Sequence, residues 1–389
     1  MNNERKRELD WVNVIFLTAT PLIAIVGVTW YVLHYGFFWQ DFALFAFLYM
    51  ATGISITAGY HRYFSHQTYE AHWSVKLFYL LFGAAAVENS ALSWSSDHRY
   101  HHRFVDTDQD PYDIMKGIFW AHIGWVFYKT YPVRTYSNAP DLKADRMVMW
   151  QHRWYLPLTI GLSFGVPILF GLLTGRVGGA LLWGAFLRVV AVQHGTFFIN
   201  SAAHYYGRRT YSMKDTSRDN PYLALFTFGE GYHNFHHTFQ NDYRNGIRWY
   251  HWDPSKWLIN ALHLVGLTWK LNKMTDYAIT RARMEMDQDR VRQRLERQPD
   301  EWREQLWVRY QAGRERLEGA LLRVIALRRR YQEFIKSAAP QVAPVRQDVA
   351  TTWTRRIRRA RKAVILARTR YADRLREVTR VPIVSRTSA

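Results

Sequence analysis

Cysteine is absent from all 389 residues. Disulfides are therefore excluded, and so are thiolate metal ligands and haem-thiolate chemistry. Acid is scarce as well: 32 Asp and Glu stand against 52 Lys and Arg, a formal charge of +20. The excess is unevenly spread, because residues 281–389 hold 28 basic and 13 acidic side chains. That same segment lacks long apolar runs, and residues 1–275 hold all of them. Hydropathy averaged over the chain thus describes neither part. The sequence divides into an apolar domain at 1–275 and a basic tail at 276–389.

Four apolar runs reach the length of about twenty residues that a bilayer crossing needs. They are 12–33, 41–60, 154–174 and 180–199. The short links HYGFFWQ (34–40) and GRVGG (175–179) pair them into two transmembrane hairpins. A fifth run, 74–94, carries Glu88, Asn89 and several serines. It reads as a helix lying in the interface or only partly in the membrane. Basic residues crowd MNNERKRELD at the N-terminus and the 99–153 segment, while the two links carry only Arg176. The positive-inside rule then puts both termini and the long central loop in the cytoplasm. The first run is too long for a cleavable signal peptide and lacks a small-residue cleavage site. The expected fold is all-α: an integral membrane protein with four transmembrane helices, a cytoplasmic histidine-rich helical cap and a basic helical tail.

Two stretches nearly repeat, HRYHHRF at 98–104 and HNFHHTF at 233–239. On a helix, positions i, i+3 and i+4 share one face. His98, His101 and His102 therefore project together, as do His233, His236 and His237. Charged imidazoles so placed repel one another. Neutral ones can bind a metal, and imidazole suits zinc, copper, iron and nickel. The second run ends in HRYFSH, which supplies His61 and His66. Five residues apart is about 140° off on an α-helix, so this pair requires a bent or unwinding helix end. The fourth run leads into NSAAH, with Asn200 and His204 one turn apart. All four elements fall on one side of the membrane if 74–94 does not cross. Nine imidazoles exceed what one tetrahedral zinc accepts and suit two five- or six-coordinate ions. Carboxylate-rich di-iron bundles need two Glu-x-x-His motifs, and here that spacing occurs once, at Glu230–His233. An all-imidazole pair fits oxygen-activating iron, strongly electrophilic because its ligands are neutral.

These motifs resemble the membrane fatty acyl desaturases, most closely the acyl-CoA delta-9 (stearoyl-CoA) type. The similarity runs in order through HRYFSH (61–66), DHRYHHRFVDTDQDP (97–111), HIGW (122–125), NSAAHYYG (200–207) and GEGYHNFHHTFQNDYRNG (229–246). It covers about 10–270. It implies a di-iron enzyme that uses O2 to remove two hydrogens from a long saturated acyl chain, leaving a cis double bond. The nine histidines would be the iron ligands, and Asn200 would reach an iron through water. His72, His122, His152, His194, His251 and His263 match no ligand position and are assigned structural roles. Trp94 is expected to line the acyl tunnel, with an interfacial Trp anchor as the alternative. Asp97, Asp106, Asp108, Asp110, Glu230 and Asp242 are candidates to hold the outer nitrogens of the ligands. Some relatives carry a fused cytochrome b5 domain marked by His-Pro-Gly-Gly, which this sequence lacks. Electrons are therefore expected from a separate cytochrome b5-like protein, ferredoxin or flavoprotein reductase.

After HIGW only Lys129 is basic in VFYKTYP, fewer charges than a CoA phosphate calls for. Acyl-CoA is the favoured carrier and a phospholipid acyl chain the alternative. A hydroxylase with the same histidine boxes is the rival chemistry, and a non-catalytic membrane scaffold the rival class. The membrane is a bacterial inner membrane or endoplasmic reticulum. In the tail, helices are expected at about 301–336 and 351–379. One has a stripe of Trp302, Leu306, Tyr310, Leu317, Leu321, Val324 and Tyr331. The other has Trp353, Ile357, Val364, Tyr371, Leu375 and Val378. A linker is expected at 337–350. Three roles are open for this tail: a solvated charged coil, a binder of anionic lipid, or a dock for an acidic electron carrier. Nucleic acid is not expected.

Overall fold

The computed structural model describes residues 8–129, 135–337 and 343–381, with backbone alone for 343–349. The chain forms two units, Met1–Met274 and Thr275–Ala389. The expected N-terminal basic segment lies largely outside the described residues, as does part of the 99–153 segment.

Four helices of the first unit are long and apolar enough to cross a membrane: Trp11–Tyr35, Trp39–Ser65, Tyr155–Thr174 and Val177–Tyr205. The chain belongs to a multi-pass membrane protein. The first span starts where the Asp10 side chain accepts from the Asn13 amide at 3.2 Å, an N-cap. It ends at Gly36, whose φ of 87° is open to glycine but strained for other residues. The third span ends at Gly175 in the left-handed conformation. The links are shorter than the sequence suggests, Gly36–Phe38 and Gly175–Arg176, because the helices run on at both sides. Arg176 Nε lies 3.6 Å from buried Asp41 in the first turn of the second span, and its guanidinium lies over the Phe38 ring at 4.9 Å, which ties the two links together.

The second span overruns the expected end at 60. From Ser55 to Ser65 it is wound as a π-helix. Its i→i+5 bonding stacks residues five apart, and the His66 amide donates to the His61 carbonyl at 3.1 Å. That winding supplies the unwound helix end which the His61–His66 spacing requires.

The 74–94 run is not one helix. Trp73–Ala85 spans 13 residues, about 20 Å at 1.5 Å per residue, well short of a hydrocarbon core of about 30 Å. The chain turns through 86–90 and a new helix, Ala91–Phe104, begins. The Ser90 side chain caps it by accepting from the Ser93 amide. Val87 and Asn89 take φ of 61° and 77° in that turn. Left-handed backbone at a β-branched valine costs on the order of 1–3 kcal/mol, so packing must hold the turn. Neighbouring spans do so by satisfying the stranded carbonyls. Thr159 Oγ1 donates to Ala84 O at 3.0 Å, Ser163 Oγ to Ala85 O at 2.9 Å, and Gln193 Nε2 to Val87 O at 2.9 Å. The fully buried Arg188 also donates to Ala85 O. In hydrocarbon, a helix can stop only where other groups take up its free carbonyls in this way. The helix approaches the second span closely through Gly83 against the Tyr60 ring and Gly59 against Tyr79.

Among its described residues the second unit holds three helices, Asp276–Leu295, Asp300–Ser337 and Ala343–Arg380. Of the linker expected at 337–350, residues 338–342 lie outside the described residues, and 337 and 343–350 are helical. The first helix was not foreseen, since its charges are mixed throughout. The stripes pack on one another: Leu306, Tyr310, Leu317 and Leu321 share a core with Val364, Tyr371 and Val378, and with Met284, Val291 and Leu295. Trp302, expected on the stripe, is 56% exposed.

Candidate metal centre

Four local structures bring the histidines together. The π-helical end of the second span carries His61, and His66 follows it directly. Ala91–Phe104 carries His98, His101 and His102 on one face. The fourth span ends with His204. A short helix, His233–Thr238, carries His233, His236 and His237.

They form two groups. His61, His66, His98, His102 and His236 make the first; His101, His204, His233 and His237 make the second. Within each group the ligand nitrogens lie within 4.8 Å of one another. The groups abut where the rings of His102 and His237 stack at 4.4 Å. Six of the nine are buried and the other three half-buried. Because elements before and after 67–97 converge on one site, that segment begins and ends on the same side.

The outer nitrogens fix the tautomers. His61 Nδ1 is 2.9 Å from Glu230 Oε2. His101 Nδ1 lies 2.9 and 3.0 Å from the two oxygens of Asp110. His204 Nδ1 lies 2.8 Å from Thr216 Oγ1, whose own proton goes to Asp106 at 2.6 Å. A proton on each of these Nδ1 atoms leaves the Nε2 lone pair pointing inward. Yet the Nε2 atoms of His61 and His236 stand 3.0 Å apart, as do those of His204 and His233. Those of His66 and His98 are 2.8 Å apart, and of His236 and His102 2.9 Å. Contacts this short need either an N–H donated from one ring to the next or a cation shared by the lone pairs. Nitrogens bonded at about 2.1 Å to one ion sit about 3.0 Å apart at right angles and about 3.4 Å apart in a tetrahedron. The observed spacings match the former. Burial, followed by the neighbouring imidazoles, holds His66, His98, His102, His233, His236 and His237 well below the usual 6.5. They are thus neutral and ready as ligands.

Behind His61 lies a buried ionic network. Arg62 donates to Glu230 Oε1 through Nη2 at 2.8 Å and Nε at 3.2 Å, and its Nη1 is 3.0 Å from Asp253. Asn245 Nδ2 donates to Glu230 Oε2 at 2.5 Å. Burial alone would raise the Glu230 carboxyl, but His61 and Arg62 hold it below its ordinary range.

A cavity of about 390 Å³ reaches the centre from the apolar side. Phe16, Leu17, Leu156 and Phe164 line its outer part; Glu88, Trp94, His98, Thr196 and Asn200 line its inner end. Trp94 stacks on His98 at 5.1 Å and donates its Nε1 to Glu88 at 3.2 Å. Thr196 donates to the other Glu88 oxygen at 2.9 Å. Burial pushes the Glu88 carboxyl up to about 8, so it is neutral at pH 7. A second cavity of about 20 Å³, enough for one water, lies between the groups, with Asn200, His61, His101 and His233 on its walls.

Several expected residues lie elsewhere. Lys129 is not among those lining the cavity; it pairs with Glu8 at the surface. Asp108 is exposed beside Lys116, and Asp242 pairs with Arg244. His122 contacts His194 and Ser201, outside both groups. Asp215, 3.5 Å from His237 Nδ1, Thr216 and Tyr112, 3.4 Å from His98 Nδ1, were missed. Their segments carry no motif. Arg62 was visible inside HRYFSH, but nothing local shows that it is buried.

The chain is similar to known proteins over most of its first unit. The chain is 40% identical over 294 residues to acyl-CoA desaturase 1 of Saccharomyces cerevisiae, covering 74% of this chain and 57% of that protein. It is 34% identical over 282 residues to the acyl-CoA desaturase of Ovis aries, covering 70% and 77%. It is 34% identical over 284 residues to Delta(9)-fatty-acid desaturase fat-7 of Caenorhabditis elegans, covering 71% and 83%. The chain thus spans less than two thirds of the Saccharomyces relative. A model described as fatty acid desaturase matches residues 37–269, more than half of the sequence, and the chain belongs to the fatty acid desaturase family.

Proposed function

We propose that this protein is an acyl-CoA desaturase, inserting a cis double bond, at the delta-9 position, into a long saturated acyl chain. The observation that carries this is the five- and four-histidine pair of groups at the closed end of an apolar cavity. His61, His66, His98, His102 and His236 would hold one iron; His101, His204, His233 and His237 the other, with Asn200 acting through a water. Two irons held there would supply the reductive activation of dioxygen needed to take hydrogen from an unactivated C–H bond. The protein's own residues do the rest. Glu230, Asp110 and the Thr216–Asp106 pair keep the inner nitrogens unprotonated. The apolar walls bind the methylene chain, at about 0.8 kcal/mol for each CH2 buried. Trp94, pinned between His98 and Glu88, sets which carbon stops beside the centre. The neutral Glu88 keeps charge out of the cavity.

The acyl-CoA carrier is favoured by the names of the relatives, and Lys129, engaged with Glu8, adds no support for it. The active site and both termini face the cytoplasm in this reading, in a bacterial inner membrane or endoplasmic reticulum. A separate donor, cytochrome b5-like, ferredoxin or a flavoprotein reductase, delivers the electrons. The test is the fatty-acid profile, by gas chromatography with mass spectrometry, of a desaturase-deficient host. The wild type should yield a new cis-monoene, and a His101→Ala, His102→Ala double variant should not. A hydroxylated product would replace the reading with an oxygenase that inserts oxygen.

A further inference from the structure

The charge of the tail is concentrated at one end of its long helical pair. Residues 276–319 carry ten basic and ten acidic side chains, a balanced surface. Residues 320–337 and 350–372 carry thirteen basic side chains and a single acid, Glu333. These two stretches form the hairpin end of the second and third tail helices, where the Tyr331 and Trp353 rings meet at 6.2 Å. Twelve of the thirteen basic residues are exposed. Among the described residues, Arg329 pairs with Glu333 at 2.9 Å. A cleft between the helices is walled by Arg328, Arg358 and Arg361, with Tyr331 and Ile357 at its floor.

Aliphatic side chains are exposed at the same end. Leu322, Ile325, Ile365 and Leu366 are 41–65% accessible and lie outside the tail's own core. Dense positive charge beside exposed Leu and Ile matches an anionic bilayer, where headgroups meet the guanidinium groups and acyl chains meet the aliphatics. Single-stranded nucleic acid would need exposed aromatic faces on which bases stack. The aromatics here, Tyr331 and Trp353, are half-buried against one another, with Arg356 over the Trp353 ring. The tail is covalently part of a membrane-spanning chain, so a bilayer is always within its reach.

We propose that the hairpin end of the tail, residues 320–337 and 350–372, is a docking surface for anionic phospholipid bilayers. The full chain would be reconstituted in nanodiscs of phosphatidylcholine, alone or with a third of phosphatidylglycerol. Hydrogen–deuterium exchange would then be followed peptide by peptide. Anionic discs should slow exchange across 350–372 by about tenfold, and 0.5 M salt should abolish the difference through screening. Residues 276–295 should serve as an unchanged control. An Arg355→Gln, Arg358→Gln, Arg359→Gln, Lys362→Gln variant should lose the protection. All four side chains are exposed, and unchanged exchange in the tail's core peptides would show that it still folds. Equal exchange in both discs overturns the proposal. Protection by an added oligonucleotide in neutral discs, with none from anionic lipid, overturns it in favour of nucleic acid.

Discussion

Glu88 is a carboxyl in a place meant for hydrocarbon, and replacing it with Gln separates its shape from its charge. Its carboxyl sits near 8 against an ordinary 4.5, a difference of about 5 kcal/mol between its two protonation states at 1.36 kcal/mol per unit. Because the folded value is the higher one, the fold holds an extra proton between 4.5 and 8. The associated stability is fully present below 4.5, falls by up to about 1.4 kcal/mol per pH unit as pH rises, and is gone above 8. Glu88→Gln keeps the neutral shape, and the Thr196 hydroxyl can turn to accept from the amide. Activity and melting temperature would be measured for both proteins from pH 6 to 9.5 with the same electron donor. Taking the ratio of wild type to variant cancels the donor's own pH dependence. That ratio should be near one at pH 6.5. It should drop about tenfold by pH 9, one unit above the folded value, as a carboxylate replaces the neutral acid beside the acyl chain. A flat ratio would refute the claim that Glu88 is held neutral in a working cavity.

Glu230→Gln removes the negative charge behind His61 and leaves Asp253 as the carboxylate facing Arg62, beside the Tyr243 carbonyl. Iron affinity should fall about 10- to 100-fold in a chelator competition, while Asp108→Asn at the exposed surface changes nothing. Six of the histidines are held well below 6.5, so the unfolded chain takes up more protons than the fold as pH drops through 6.5. The metal-free protein should lose stability below that pH, and bound metal should be released over the same range, as measured by iron content after incubation at pH 5 to 7.5. Arg188→Met removes a donor from the buried end of the Trp73–Ala85 helix and should cost about 1–3 kcal/mol, read as a lower melting temperature in detergent.

The histidines were legible because their spacing encodes one helical face, so local geometry alone joins His98 to His101 and His102. Which histidines group together was not legible. His101 and His102 are adjacent in sequence and fall into different groups, since neighbours on a helix point about 100° apart. Four spans were legible from apolar length, and their ends were missed by a few residues because caps and π-winding, not hydropathy, decide them. The tail stripes were visible as stripes. Their partners were not, and they prove to be one another. The acids divided by burial: Asp110 and Glu230 contact His101 and His61, while Asp108 faces solvent. Sequence distance to a histidine box does not distinguish them.

The turn at 86–90 connects these features. Had the 74–94 run been a continuous span, His61 and His98 would lie on opposite sides of the membrane and no nine-histidine site could form. Stopping the helix at Ala85 avoids that, but it strands carbonyls inside the apolar layer. Thr159, Ser163, Arg188 and Gln193 are the polar residues that answer them. The same left-handed turn, Val87 and Asn89 on either side, directs Glu88 toward Trp94 and Thr196 at the inner end of the cavity. The device that lets the two halves of the metal centre meet therefore also shapes the floor on which an acyl chain would rest. A change at 86–90 should accordingly move metal retention and the carbon attacked together, whereas changes in the outer wall at Leu156 or Phe164 should move only the latter.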